Sequence, residues 1–137
     1  MRWVTRAGIH VDRTACAWLI RMYVDPTAEF LFVTDLDDLP DDATPFDIAG
    51  TQFSHHDGAC TFEVLLRHYE LTDPALAHLG RIVHEADVAD ERYDAPEAAG
   101  LDAIIRGMGR NLDDAALLHA SMPIYEGLLA TIRAGTP

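Results

Sequence analysis

The chain has 137 residues, 49% of them apolar, and a formal charge of −13. That length and composition predict one globular domain with its own core and exclude a disordered chain. The acidity argues against duplex nucleic acid and anionic membranes as partners. In chain order, Arg2 to Thr5 reads as a short strand. Asp12 is placed to cap a first helix with Ala15, Trp18, Leu19, Met22 and Tyr23 on its apolar face, ending at Asp25 before Pro26. Glu29 to Val33 is aromatic and β-branched, a buried strand. The Asp- and Pro-rich stretch from Thr34 to Pro45 reads as the longest loop, and Phe46 to Ser54 as further strand, interrupted at Gly50.

From Cys60 onward the pattern turns helical. Phe62, Leu65, Leu66 and Tyr69 form one stripe. Asp73-Pro74 opens a helix running to about Asp90. Another starts near Pro96, carries Leu101, Ile104, Ile105 and Met108, and stops at Gly107 and Gly109. The last starts at Asp113, with Pro123 expected to kink or split it. The fold class is α+β, predominantly helical, with a small sheet formed by the N-terminal third, as one domain over residues 1–137. No apolar h-region opens the sequence and the uninterrupted apolar runs are short, so a cytoplasmic protein without membrane contact is expected.

Two clusters place polar groups where apolar ones belong. The first spans Phe53 to Glu63 and contains His55, His56, Asp57 and Cys60; the second is Ile82-Val83-His84-Glu85-Ala86-Asp87. On the helix after Asp73 the stripe Leu76, Leu79, Gly80 and Val83 continues into Asp87, and a buried carboxylate needs an arginine, a proton or a metal. His84 lies three residues before Asp87 on nearly the same face. His55, Glu63, His84 and Asp87 together offer two nitrogens and two oxygens, a set suited to one divalent transition metal (Zn, Fe or Mn). The bland alternative has His84 bonded to a carbonyl and Asp87 paired with an arginine.

Cys16 and Cys60 form no disulfide framework and no C-x-x-C motif, and both read as packing residues. All ten positive side chains are arginine, and Arg2, Arg6, Arg13 and Arg21 oppose only Asp12 up to Arg21. Guanidinium groups suit oxyanions. Asp12, Arg13, Trp18, Arg21, His56 and Cys60 are therefore candidates to line the approach to the metal and its anion, with Arg13 the better placed of the arginines.

Trp3-Val4-Thr5-Arg6, Val11-Asp12-Arg13, Ala17 to Arg21, Phe46-Asp47, His55, Cys60 to Glu63, Ile82-Val83-His84 with Asp87, Gly100-Leu101 and Ile105-Arg106-Gly107 carry a resemblance across nearly the whole chain. They resemble the C-terminal domain of the chromate-resistance protein family (ChrB-like). The resemblance implies a domain associated with chromate resistance, found in regulators and in stand-alone forms. Regulators of that family carry an additional N-terminal portion, and the domain motifs here begin near Met1, so a free-standing form without DNA binding is expected. Three functions stay open: a metal-binding domain handling a small anion, chromate among them; a non-catalytic sensor or regulatory module; and a metal-dependent hydrolase or oxidoreductase, with His56, Asp57 or Glu85 as base.

Overall fold

The computed structural model describes residues 1–88 and 90–135. Strand β1 (Arg2–Arg6) lies at the centre of a parallel sheet in the order β2-β1-β3. Helix α1 (Val11–Leu19) connects it to β2 (Glu29–Val33), the crossover that parallel neighbours require. The end of α1 widens into a π-helical turn, Ile20–Val24, and stops at Asp25 as the proline after it dictates. Asp25 then accepts a 3.0 Å bond from the Trp3 indole.

The stretch read as loop holds more structure than its composition suggests. It contains a 3₁₀ turn, Leu36–Asp38, and the third strand, β3 (Ala43–Pro45), paired with Arg2 to Val4. The strand expected from Phe46 to Ser54 reduces to a single bridge between Phe46 and Phe53. The reason is local: Asp47 adopts φ +52°, the left-handed region, and turns the chain out of the sheet.

Four further helices follow: α2 (Thr61–His68), α3 (Pro74–Val88), α4 (Ala98–Gly109) and α5 (Asp114–Arg133). Helix α4 starts two residues later than Pro96, because Ala95 to Ala98 close a turn first. Pro123 does not split α5. Leu117, Tyr125 and Leu129 bury on both sides of it, and that burial outweighs the roughly 3 kcal/mol cost of an internal proline. By length and composition α5 could cross a membrane, yet its inner face packs on α1 and α3. The Tyr125 hydroxyl, fully buried, meets Thr14 Oγ1 at 2.5 Å and donates to the Val11 carbonyl at 3.1 Å. Tyr125→Phe should therefore cost about 1–2 kcal/mol in urea unfolding, since Thr14 and Val11 lose a partner that no water can replace.

Helix α2 ends with Glu70 at φ +52°, and the Leu71 amide reaches back to the Leu66 carbonyl. This left-handed closure is one that glycine usually supplies. Glu70→Gly should raise stability by about 0.5–1 kcal/mol, read as a higher urea midpoint at unchanged slope.

Candidate metal and anion site

Asp12 does not cap the helix it sits on. Position His10 precedes α1, and Asp12 lies in its first turn, 1% exposed. Its carboxylate instead caps α2: the Thr61 amide donates to Oδ2 at 2.9 Å and the Phe62 amide to Oδ1 at 3.0 Å. Cys16, one turn later, sets its thiol 3.3 Å from Oδ1, and burial beside this carboxylate pushes the thiol well above its ordinary range. Cys60 occupies the position before α2, fully buried, with its amide bonded to Glu63 Oε1. Both cysteines are core residues, as their context predicts.

His55 projects from the loop before α2 into a group of three carboxylates. Its Nε2 lies 3.0 Å from Asp12 Oδ2, 3.4 Å from Asp87 Oδ2 and 3.5 Å from Asp47 Oδ1. Asp47 is fixed by the Thr61 hydroxyl at 2.7 Å and by Arg13, whose NH2 donates to the Asp47 carbonyl at 3.2 Å. The buried Arg13 Nε is 3.2 Å from Asp47 Oδ2 but lacks the alignment of a hydrogen bond. A cavity of about 270 Å³ opens among His10, Asp12, Arg13, Asp47, His55 and Asp87. A second, of about 490 Å³, shares Arg13, Asp47 and His55 with it.

The electrostatics of this group follow from crowding like charges around a buried Asp12, with His55 and Asp87 at the exposed mouth of the cavity. Burial, and then the Asp12 charge, raise Asp47 to about 7 and Asp87 to about 6. The hydrogen bond that His55 donates to Asp12 raises its pKa to about 9, against the opposing effect of burial. The arrangement favours the protonated imidazole, whose Nε2 faces three carboxylates. A divalent ion meets the same electrostatic demand. Asp12, His55 and Asp87 present one ligand atom each, all within 4.8 Å of one another, with Asp47 adjacent. Two or three oxygens and one imidazole nitrogen suit Zn²⁺, Fe²⁺ or Mn²⁺, so the donor set fits the expected metal.

The four ligands expected from the sequence do not converge. His55 and Asp87 belong to this group; Glu63 and His84 belong to a second. There His84 is 1% exposed and clamped between two carboxylates, with Nδ1 2.6 Å from Glu63 Oε1 and Nε2 2.8 Å from Asp90 Oδ2. These bonds raise its pKa although burial opposes them. Tyr93 adds its hydroxyl to Glu63 Oε2 at 3.0 Å, and its ring packs edge-on to His84. Glu63, His84 and Cys60 also lie close enough to one another to share an ion.

The remaining candidates separate similarly. Trp18 packs on Tyr125 and Tyr23, and Arg21 lies over Phe30 and bonds the Ala28 carbonyl; neither reaches the carboxylate group. The His56 ring turns toward Ser54 and the carbonyls of Thr51 and Gln52, beside the second cavity. Asp90, Tyr93 and the rim residue His10 were not singled out as site residues from the sequence, and Asp47 entered only within the Phe46-Asp47 motif of the family resemblance. Asp12 was singled out, but for the approach rather than as a ligand. It heads the buried row Ala15, Cys16, Leu19, which is the same signal that drew attention to Asp87.

Residues 3–132 match the family model described as ChrB, C-terminal domain. The chain is also similar to Protein ChrB of Cupriavidus metallidurans, 44% identical over 119 residues, which is 85% of this chain and 36% of that protein. It therefore spans about a third of the relative's length. No solved structure matches it.

Proposed function

Since the chain belongs to the ChrB family of chromate-resistance proteins, as its C-terminal domain, we propose that it holds one divalent transition metal (zinc, iron or manganese) and handles a small oxyanion beside it. The observation that carries this reading is the convergence of Asp12, Asp47 and Asp87 on His55 Nε2 within an open cavity. Asp12, His55 and Asp87 are the ligands, with Asp47 available as a fourth. The metal supplies positive charge and a coordination position for an oxygen ligand. Arg13, with its unaligned Nε and its place on the walls of both cavities, supplies the protein's own positive charge there. Chromate is the oxyanion that the family suggests.

Glu63 and His84 then act as supports. Their clamp ties α3 to α2 and to Asp90, which fixes where the next turn of α3 presents Asp87. A binding or sensing role is favoured over hydrolysis by the positions of the expected bases. Glu85 is spent on the Tyr93 amide, His56 on local carbonyls, and neither they nor Asp57 lines the cavity that contains Asp12 and Asp87.

Metal analysis of protein purified without an affinity tag tests the reading. The expected result is about one metal per chain, lost in the His55→Ala/Asp87→Asn double variant and kept in His84→Gln. Full metal content in the double variant would remove the site. Calorimetric titration with chromate, sulfate and phosphate tests the anion: Arg13→Ala should weaken binding about tenfold, or 1.4 kcal/mol, with metal content unchanged.

A further inference from the structure

A further concavity lies away from the carboxylate group. A cleft of about 760 Å³ runs between α2 and α3, closed at one side by Tyr93. We infer that this cleft binds a small amphipathic organic anion: a ring or short hydrocarbon body bearing a carboxylate, sulfonate or phosphate.

Its volume falls in the range of small-molecule sites, roughly 300–1,000 Å³, and is far more than a tetrahedral oxyanion needs. Leu66, Leu71 and Ala77 supply an apolar wall, and Tyr93 borders the same cleft. Arg67 on α2 and Arg81 on α3 flank this wall, both exposed. Their placement together on one apolar cleft is what identifies the ligand's charge. Of the other arginines, Arg2 pairs with Asp42, Arg13 with Asp47, Arg106 with Asp102 and Arg133 with Asp73, Arg21 and Arg92 donate to carbonyls, and Arg6 and Arg110 lie outside this cleft. Among the described residues Arg67 and Arg81 form neither an ion pair nor a hydrogen bond, in a chain with 23 acidic residues. Two unspent guanidinium groups across one apolar cleft are complementary to a single anionic head whose body lies on Leu66 and Ala77.

The wall that faces them is fixed in place. Tyr93 is held at both ends, its amide on Glu85 and its hydroxyl on Glu63, and the neighbouring Arg92 donates to the Gly58 carbonyl at 2.7 Å. At the other end the left-handed turn at Glu70 directs Leu71 back over the end of α2. Glu63 and Glu70 also border the cleft, so the anionic head belongs between the arginines and the body toward Tyr93. A hydrogen-bond donor on the body would meet Glu63. The site stands independently of the metal reading, since none of its arginines or apolar residues belongs to the carboxylate group.

The test uses the whole protein as purified and two fluorescent probes. One is 8-anilinonaphthalene-1-sulfonate; the other, N-phenyl-1-naphthylamine, has the same rings without the sulfonate. One sulfonate probe should bind per chain, and Arg67→Ala/Arg81→Ala should weaken it at least tenfold while changing the neutral probe less than twofold. Ala77→Trp should abolish both. The pair Arg6→Ala/Arg110→Ala removes the same charge elsewhere and should leave both unchanged. Amide shifts in ¹H–¹⁵N spectra should cluster at residues 63–81 and at Tyr93, which keeps the test valid if Ala77→Trp folds poorly. The proposal is overturned if the two arginine pairs weaken the sulfonate probe equally. Shifts scattered over exposed Met22, Tyr23 and Ile104 would overturn it as well.

Discussion

Metal-free protein titrated with Zn²⁺, Fe²⁺ or Mn²⁺ at pH 8 should gain about 10 °C in its thermal midpoint at a free ion concentration near 100 times the dissociation constant. The figure follows from about 2.7 kcal/mol of linkage and roughly 3–4 °C per kcal/mol at this chain length. At pH 5.5 the gain should nearly vanish. Protons and metal compete for the same atoms, and Asp87 near 6, Asp47 near 7 and His55 near 9 place that competition between pH 5.5 and 9. The metal-free protein should show the opposite trend. His55 has a folded pKa above its unfolded one, so its stabilisation is complete below about 6.5 and fades as pH rises through 9. Asp47 and Asp87 are also raised, so the folded state holds their protons longer, and it loses stability as pH climbs from about 4 through 6 and 7. All three groups push the same way. Thermal scans from pH 5 to 9 with and without metal check both trends, and parallel curves would contradict the assignment.

Asp12→Ala should be the most damaging single substitution in the carboxylate group, at about 3 kcal/mol in urea unfolding. It strips the Thr61 and Phe62 amides of their acceptor at a buried helix start and takes from His55 its nearest partner. Relief of repulsion with Asp47 and Asp87 offsets part of the loss. Asp12→Asn keeps one acceptor oxygen and should cost about half as much. A cost under about 1 kcal/mol for Asp12→Ala would mean that α2 does not depend on this cap. Both variants should lose the metal.

The α+β class, the position of the Glu29–Val33 strand and the long helices after Asp73 and Asp113 were legible because each rests on local periodicity or a cap within a few residues. That strand, expected to be buried, lies instead at the sheet edge with its side chains half-buried or exposed. The carboxylate group was half legible. Asp87 betrayed itself by continuing an apolar stripe, and His55 by its neighbours. Asp47 was marked only by the Phe46-Asp47 motif of the resemblance and its place between buried Phe46 and Ile48, and its role depends on a left-handed turn that the sequence does not announce. His84 and Asp87 share a helix but not a destination. The 60° between positions i and i+3 is enough to send one toward α2 and the other toward the His55 loop. Spacing along one helix cannot resolve that, because the packing of α2 and α1 decides it.

The capping of α2 by Asp12 sets an order of events during folding. An isolated eight-residue helix is too short to persist in water, and this one borrows its N-terminal acceptor from 49 positions upstream. Asp114 similarly holds the Gly8 and Ile9 amides at the approach to α1 across more than a hundred positions. Neither closure can be rewarded until the distant elements have already docked, so both belong to the late side of the barrier. Asp12 and Asp114 variants should then unfold faster with little change in refolding rate. On that order of events, an ion captured by Asp12, His55 and Asp87 would chiefly slow unfolding and lengthen the lifetime of the native state.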